Sequence, residues 1–286
     1  MTGTGNEDGG ARAHILGPAY TQEEVDALTS DVVPRYFSFF NAMAVERLIL
    51  APQSAVLTCG PLASSVTDAI EERLPNTRLH GFEASEAAVR AASDRTATAP
   101  GALDFEVLRS LPLELADASF THAVVVHPIT TATTRMQLLR EVSRVLVPGG
   151  QLLFALPLRG SYPELVDMLR EFSLKHDDPR FGEAIEVGAQ SRPTPETLTE
   201  DLERLGFVDV AVDVELLSVP FETGRDFAQS SLFRLVVLPE LGSVIEGRTE
   251  ALGAAVDYAK LAIGKYWSEG QFDLTVNLGC ASARKP

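Results

Sequence analysis

Cysteine is nearly absent from this chain, with Cys59 and Cys280 the two present among 286 residues. Two thiols exclude a disulfide framework. Both fall in apolar runs, so each reads as a small core residue in a reducing compartment. Basic residues are scarce as well: 24 lysines and arginines stand against 40 aspartates and glutamates, a net charge of −16. No basic run interrupts that balance, and so acidic a chain is repelled by nucleic-acid backbone and by anionic lipid. Nucleic acid is therefore excluded as the expected partner. No apolar run approaches the roughly 18 residues of a membrane span. The opening stretch MTGTGNEDGGARAH has no apolar centre and does not read as a signal peptide, so the expected location is the cytoplasm, with no membrane partner. Internal repeats, low-complexity linkers and Gly-x-Ser-x-Gly frames are missing. No His, Cys, Asp or Glu spacing suggests a metal site.

What is present is an ordinary globular composition, 45% hydrophobic and 22% charged, enough for one large domain with an insertion. Residues 1–18 lack periodicity and read as disordered. TQEEVDALTS reads as a short helix capped by Thr21. Pro34 is expected to open a second helix and Pro52 to stop it, giving a helical lid over about 19–50. Strand and helix then alternate. SAVLTC and QLLFALP read as buried strands, and TRLHGFE, LDFEVL and FTHAVVVHP as strands. SSVTDAIEERL, SEAAVRAASDR (capped by Ser85) and TTRMQLLREVSRVLVPGG read as the helices between them, the last ending at Pro148 and the Gly149–Gly150 pair. Continuous apolar strands separated by helices of about 10–15 residues predict a parallel sheet covered on both faces. From 161 the pattern loosens into the helices SYPELVDMLREFSLKH and RPTPETLTEDLERLGF, the latter with Thr194 as cap and Pro195 at its first position. Asp177 and Asp178 read as a solvated turn. Two alternating strands, VDVAVDVELLSV and QFDLTVNLGCASA, flank a helical insertion over about 222–268. The whole of 19–286 reads as a single domain.

In a doubly wound sheet, ligands gather at the carboxyl ends of the central strands, beside the first strand–helix turn. That turn is VLTCGPLASS. An acid about 20 residues further on, closing the second strand, is placed to accept hydrogen bonds from vicinal hydroxyls. Glu83 holds that position, 23 residues after Gly60; the blander role for it is a solvated carboxylate near a helix N-terminus. His127 ends the fourth strand facing the same pocket, as a base or as a rim residue with no proton to move. His122, five residues earlier, points to the opposite face.

These pieces resemble the class I S-adenosylmethionine-dependent methyltransferases, in particular the small-molecule type. The resemblance spans about residues 34–160. It rests on VLTCG, LHGFEAS, LPLELADASFTHAVVV and above all LLREVSRVLVPGGQLLFALP. It implies a Rossmann-like sheet of seven mostly parallel strands with a helical cap and insertion. It also implies S-adenosylmethionine as cofactor wherever the site functions. Tyr36, Thr58, Gly60, Leu62, Glu83, Ala84, Leu108, Arg109 and Val126 are the positions it assigns to that cofactor. Phe37, Phe40, Tyr266 and Trp267 are the expected lining of a substrate pocket, with His127 as candidate catalytic residue. Each aromatic has an alternative role as plain packing.

The glycine-rich motif departs from the family's pattern. The family's first-strand aspartate aligns with Thr58, and two of its glycines align with Leu62 and Ser64, where side chains take up space. Pro61 removes a backbone donor. VLRSLP lacks the acid that meets the adenine amino group in relatives, and Thr121 replaces another acid. Losing two charged hydrogen bonds costs about 3–6 kcal/mol if their partners stay buried. Two readings remain open on the sequence. One is methyl transfer to a small, largely apolar acceptor. The other is a catalytically inactive relative with a binding or regulatory role and a protein partner. A nicotinamide-dependent oxidoreductase is disfavoured by the single glycine.

Overall fold

The computed structural model describes residues 15–51, 53–96, 102–245 and 249–286. Among the described residues seven strands form one sheet in the order β3-β2-β1-β4-β5-β7-β6. They are β1 (Ala55–Cys59), β2 (Arg78–Glu83), β3 (Ala102–Val107), β4 (Phe120–Val126), β5 (Leu146–Pro157), β6 (Val208–Phe221) and β7 (Phe272–Arg284). The first five are parallel, and β7 runs antiparallel between β5 and β6. The strand order reverses between β1 and β4, which opens a crevice at their carboxyl ends.

Among the described residues eleven α-helices flank this sheet: α1 (Gln22–Ala27), α2 (Ser38–Glu46), α3 (Thr67–Arg73), α4 (Glu86–Thr96), α5 (Ala132–Val145), α6 (Pro163–Lys175), α7 (Pro179–Ser191), α8 (Pro195–Arg204), α9 (Gly224–Gln229), α10 (Leu238–Val244) and α11 (Thr249–Tyr266). The central strands are apolar on both faces because both faces are covered. One apolar cluster joins Val56, Val124 and Leu153 to the lid residues Tyr36, Phe37 and Phe40; a second joins Leu57, Val125 and Phe154 to Leu138, Val142 and Leu202. Among the described residues no helix is long and apolar enough to cross a membrane.

Several boundaries move from the sequence reading. Pro34 does not open a helix: it lies inside a wide π segment, Leu28–Phe37, that joins α1 to α2. A proline is tolerated there because it forfeits one donor within a backbone already distorted from α geometry. Pro52 lies outside the described residues, and α2 ends earlier, at Glu46. The helix expected to run to Pro148 stops at Val145, and the Pro-Gly-Gly run belongs to β5. The residue before a proline avoids helical backbone, and Gly149 takes a φ of 75° that other residues resist. Asp178 is not a solvated turn residue: its carboxylate accepts the Phe181 N–H and caps α7. The stretch read as disordered to residue 18 is ordered from Ile15 on, with Ile15 and Leu16 buried; residues 1–14 lie outside the described part. Thr21 and Thr194 cap their helices as expected, and Ser85 accepts the Ala88 N–H at the start of α4.

Gly81 in β2 is a packing requirement. A Cβ there would lie 2.3 Å from Phe105 Cδ1 and 2.9 Å from Thr58 Oγ1. Gly81→Ala is expected to lower unfolding free energy by about 1–3 kcal/mol through overpacking, measured by urea denaturation; an unchanged midpoint would refute this packing account.

Candidate functional site

Two groups of residues stand at the carboxyl ends of the strands. The first surrounds the turn after β1. Gly60 ends that strand with its N–H donated to Phe82 O, and a Cβ on it would lie 2.7 Å from Val126 O. Glycine is thus required by the closeness of β4. The chain then turns through Pro61 and Leu62 into a short 3₁₀ segment, Ala63–Val66. Glu83, fully buried at the tip of β2, receives the Ala63 N–H on Oε2 at 2.9 Å and the Ser64 N–H on Oε1 at 2.8 Å. Burial pushes its carboxyl up to about 7, against the opposing pull of the Ser64 and Ala63 hydrogen bonds.

A strap covers this turn. Leu16 O accepts the Ile129 N–H beyond β4. Gly17 passes so near Pro61 and Ala84 that a Cβ on it would lie 3.6 and 3.7 Å from theirs. Ile15 and Leu16 join Phe82, Leu108 and Leu113 in one apolar cluster. Tyr20 then anchors the strap by donating its hydroxyl to Leu235 O.

The second group is a buried polar network at the tip of β4. His127 has a left-handed backbone, φ 43°, and Tyr162 at the start of α6 another, φ 61°. Left-handed backbone in a residue with a side chain costs about 1–2 kcal/mol and persists where the surroundings impose it. His127 Nε2 is 3.0 Å from Tyr36 Oη, which is 2.6 Å from Tyr162 Oη. Tyr162 donates to Glu240 Oε2 at 2.8 Å, and Arg192 Nε donates to Glu240 Oε1 at 2.8 Å. Glu240 Oε2 also lies 3.4 Å from His127 Nε2. Burial alone would raise the Glu240 carboxyl; the Arg192 guanidinium and His127 overcome it and hold the group down at about 2. Burial, and then the Glu240 charge, push both tyrosine hydroxyls well above their ordinary range. His127 Nδ1 and Arg192 Nη2 are buried without a hydrogen-bond partner. The rings of Tyr36, Phe37 and Phe40 meet the imidazole edge-on, centroids 5.1–5.7 Å away. A cleft of about 380 Å³ adjoins this network, lined by Pro18, Ile129, Thr130, Thr134, Pro239 and Gly242 among others.

Of the residues assigned from the sequence, Gly60, Leu62, Glu83 and Ala84 converge on the turn, and Leu108 lies under the strap. Tyr36, Phe37, Phe40 and His127 converge on the network. Thr58 is buried with its hydroxyl unpartnered, and Val126 packs in the sheet with its carbonyl against Gly60. Arg109 is largely exposed and ion-paired with Glu86. Tyr266 is half exposed, while Trp267 packs on Phe272 with centroids 5.3 Å apart; neither touches the network. His122 belongs elsewhere, held by Ile49 O and Thr121. Tyr162, Arg192 and Glu240 were missed. Tyr162 and Glu240 adjoin prolines at helix starts (Pro163 and Pro239), and Arg192 ends α7 beside Pro193, local signals that do not say the three meet.

The crevice at β1 and β2 suits a nucleoside donor in residue type, with a glycine and an acid at the strand tips. Room is scarce there: Leu62 is buried beside the turn, the strap passes close over Pro61 and Ala84, and both Glu83 oxygens are engaged by backbone.

Residues 57–154 match the family described as a methyltransferase domain. A ubiquinone/menaquinone biosynthesis C-methyltransferase from Syntrophotalea carbinolica is 29% identical over 173 residues, covering 59% of this chain and 73% of that protein. Among solved structures, the YcgJ protein from Bacillus subtilis superposes with a TM-score of 0.54 at 13% identity, over 87% of this chain and 98% of that one. A Haemonchus contortus phosphoethanolamine N-methyltransferase 2, solved with phosphomonomethylethanolamine and S-adenosylhomocysteine, gives 0.56 at 15% identity over 93% of this chain. The chain spans 58% of that enzyme's length. At these identities the solved structures show the fold.

Proposed function

Because the chain belongs to the class I S-adenosylmethionine-dependent methyltransferases, we propose that it methylates a small, largely apolar acceptor held at the tip of β4 beneath the helical lid. S-adenosylmethionine is the methyl donor of this family. One observation carries the reading: a buried carboxylate, Glu83, closes β2 opposite the β1 turn, where the family's ribose-binding acid stands. The strap, Leu62 and the Glu83–backbone hydrogen bonds must all give way before a donor enters. Such a molecule would supply the electrophilic methyl group. The protein's part is to release the Ala63 and Ser64 N–H groups from Glu83, to exclude water with the strap, and to hold the acceptor beside His127. Methyl transfer asks little more of a protein than alignment and, for some acceptors, a base.

The closed crevice favours a second reading, a binding protein on a methyltransferase scaffold with an eroded glycine motif. Calorimetry with S-adenosylhomocysteine separates the two. Leu62→Gly is expected to strengthen binding at least tenfold, about 1.4 kcal/mol, by vacating the crevice. Glu83→Gln in the same background is expected to remove that gain. If neither wild type nor Leu62→Gly responds at millimolar ligand, the binding-protein reading stands.

A further inference from the structure

The direction of the hydrogen bonds around His127 can be followed from its charged end. Arg192 donates to Glu240 at 2.8 Å, so Glu240 is an ionised carboxylate and an acceptor only. Tyr162 must therefore donate its single hydroxyl proton to Glu240 Oε2. Its oxygen then accepts from Tyr36, whose only proton is spent on that 2.6 Å bond. The Tyr36 oxygen has nothing left to give His127 and accepts from Nε2–H at 3.0 Å. Glu240 Oε2, 3.4 Å from the same nitrogen, favours the same assignment. Nε2 thus carries a proton, and in the neutral ring Nδ1 is the acceptor nitrogen, fully buried and without a partner.

We propose that this network sets His127 Nδ1 as the proton acceptor for an acidic hydroxyl on the methyl acceptor, a phenol or an enol, with Glu240 and Tyr162 as positioning residues. This rests on the acceptor site proposed above and names its substrate class. A latch serving only to fasten the lid would satisfy both ring nitrogens; this one leaves the inner nitrogen open at a residue held in left-handed backbone. The hydroxyl O–H bond breaks, the proton joins Nδ1, and the electron pair stays on the acceptor, spread into its π system. The resulting imidazolium lies against the Glu240 carboxylate, which is balanced in turn by Arg192. A planar, conjugated acceptor suits the edge-on rings of Tyr36, Phe37 and Phe40. The chain that carries the pair also walls the neighbouring cleft: Ile129 and Thr130 follow His127, and Pro239 precedes Glu240.

The test needs no methyl donor, so its failure is distinct from failure of donor binding. In ¹⁵N-labelled protein near neutral pH, His127 is expected to show an unprotonated Nδ1 and a protonated Nε2. Tyr162→Phe, which cuts the chain of donors, is expected to shift the ring toward the other tautomer or a mixture. 4-Nitrophenol, added at a pH where it is neutral in solution, is expected to bind with the absorbance of its ionised form. His127→Gln should bind it at least tenfold more weakly and without that band, and Glu240→Gln should weaken the band. Tyr36, Tyr162, Glu240 and Arg192 are the ionisable groups facing the ring. A wild-type ring protonated on Nδ1, or a phenolate band that survives in His127→Gln, overturns the proposal.

Discussion

Arg192→Met is expected to destabilise the protein by about 3–5 kcal/mol, because it strands the Glu240 carboxylate in the interior without its counter-charge. The pair is nearly inaccessible on both sides. Glu240→Gln alone is also destabilising, since it strands the guanidinium. The double variant removes both charges and is expected to lose clearly less than the sum of the two, the coupling expected of a direct contact. Urea denaturation of the four proteins measures it, and strictly additive losses would refute the pairing. The pH dependence follows from the same contact. Glu240 is held at about 2 in the folded protein, against an unfolded carboxyl near 4.3. Its contribution is fully present above the unfolded value and is lost as pH falls through about 2. Wild type should therefore lose stability steeply on acidification, and the double variant less so.

Glu83→Ala is expected to cost a similar amount, about 2–5 kcal/mol, from a different cause. Two backbone N–H groups, of Ala63 and Ser64, lose their acceptor inside a buried turn, at about 1–3 kcal/mol each. Here the pH dependence has the opposite sense. The Glu83 carboxyl is raised to about 7, so between about 4.3 and 7 the folded chain binds a proton that the unfolded chain has released. This group's contribution is greatest below pH 4 and falls as pH rises through 7, by about 4 kcal/mol in all. Glu83→Gln, which cannot ionise, should flatten that slope while losing one hydrogen bond to its amide group. A slope between pH 4 and 7 unaltered in Glu83→Gln would show that Glu83 is not the titrating group. Stability near neutrality thus depends on two buried carboxylates of opposite character. Glu240 is ionised by a neighbouring guanidinium, while Glu83 is only partly compensated by backbone dipoles.

The central strands were legible because apolar periodicity is local. VVV in β4 and LLFALP in β5 read as strands covered on both faces before any fold was assumed, and they are. Helix limits were less legible at Pro34 and Pro148, where a proline's usual effect gave way to a distorted helix in one case and an early strand in the other. Glu83, Gly60 and His127 could be placed at strand tips by position, since strand tips in this topology converge wherever the sheet folds.

The amino-acid sequence alone determined the central strand segments and the acid at the tip of β2, because each depends on residues close together in the chain. Only the tertiary structure decided what that acid touches. It decided that residues 15–18 lie across the strand tips rather than trailing in solvent. It also decided that Tyr36, His127, Tyr162, Arg192 and Glu240 share one proton-ordered network. Those residues span more than 200 positions, and hydrogen bonds of about 3 Å between them exist only after the lid has packed on the sheet. Local pattern places a side chain on a face, whereas its partner is chosen by the packing of distant elements.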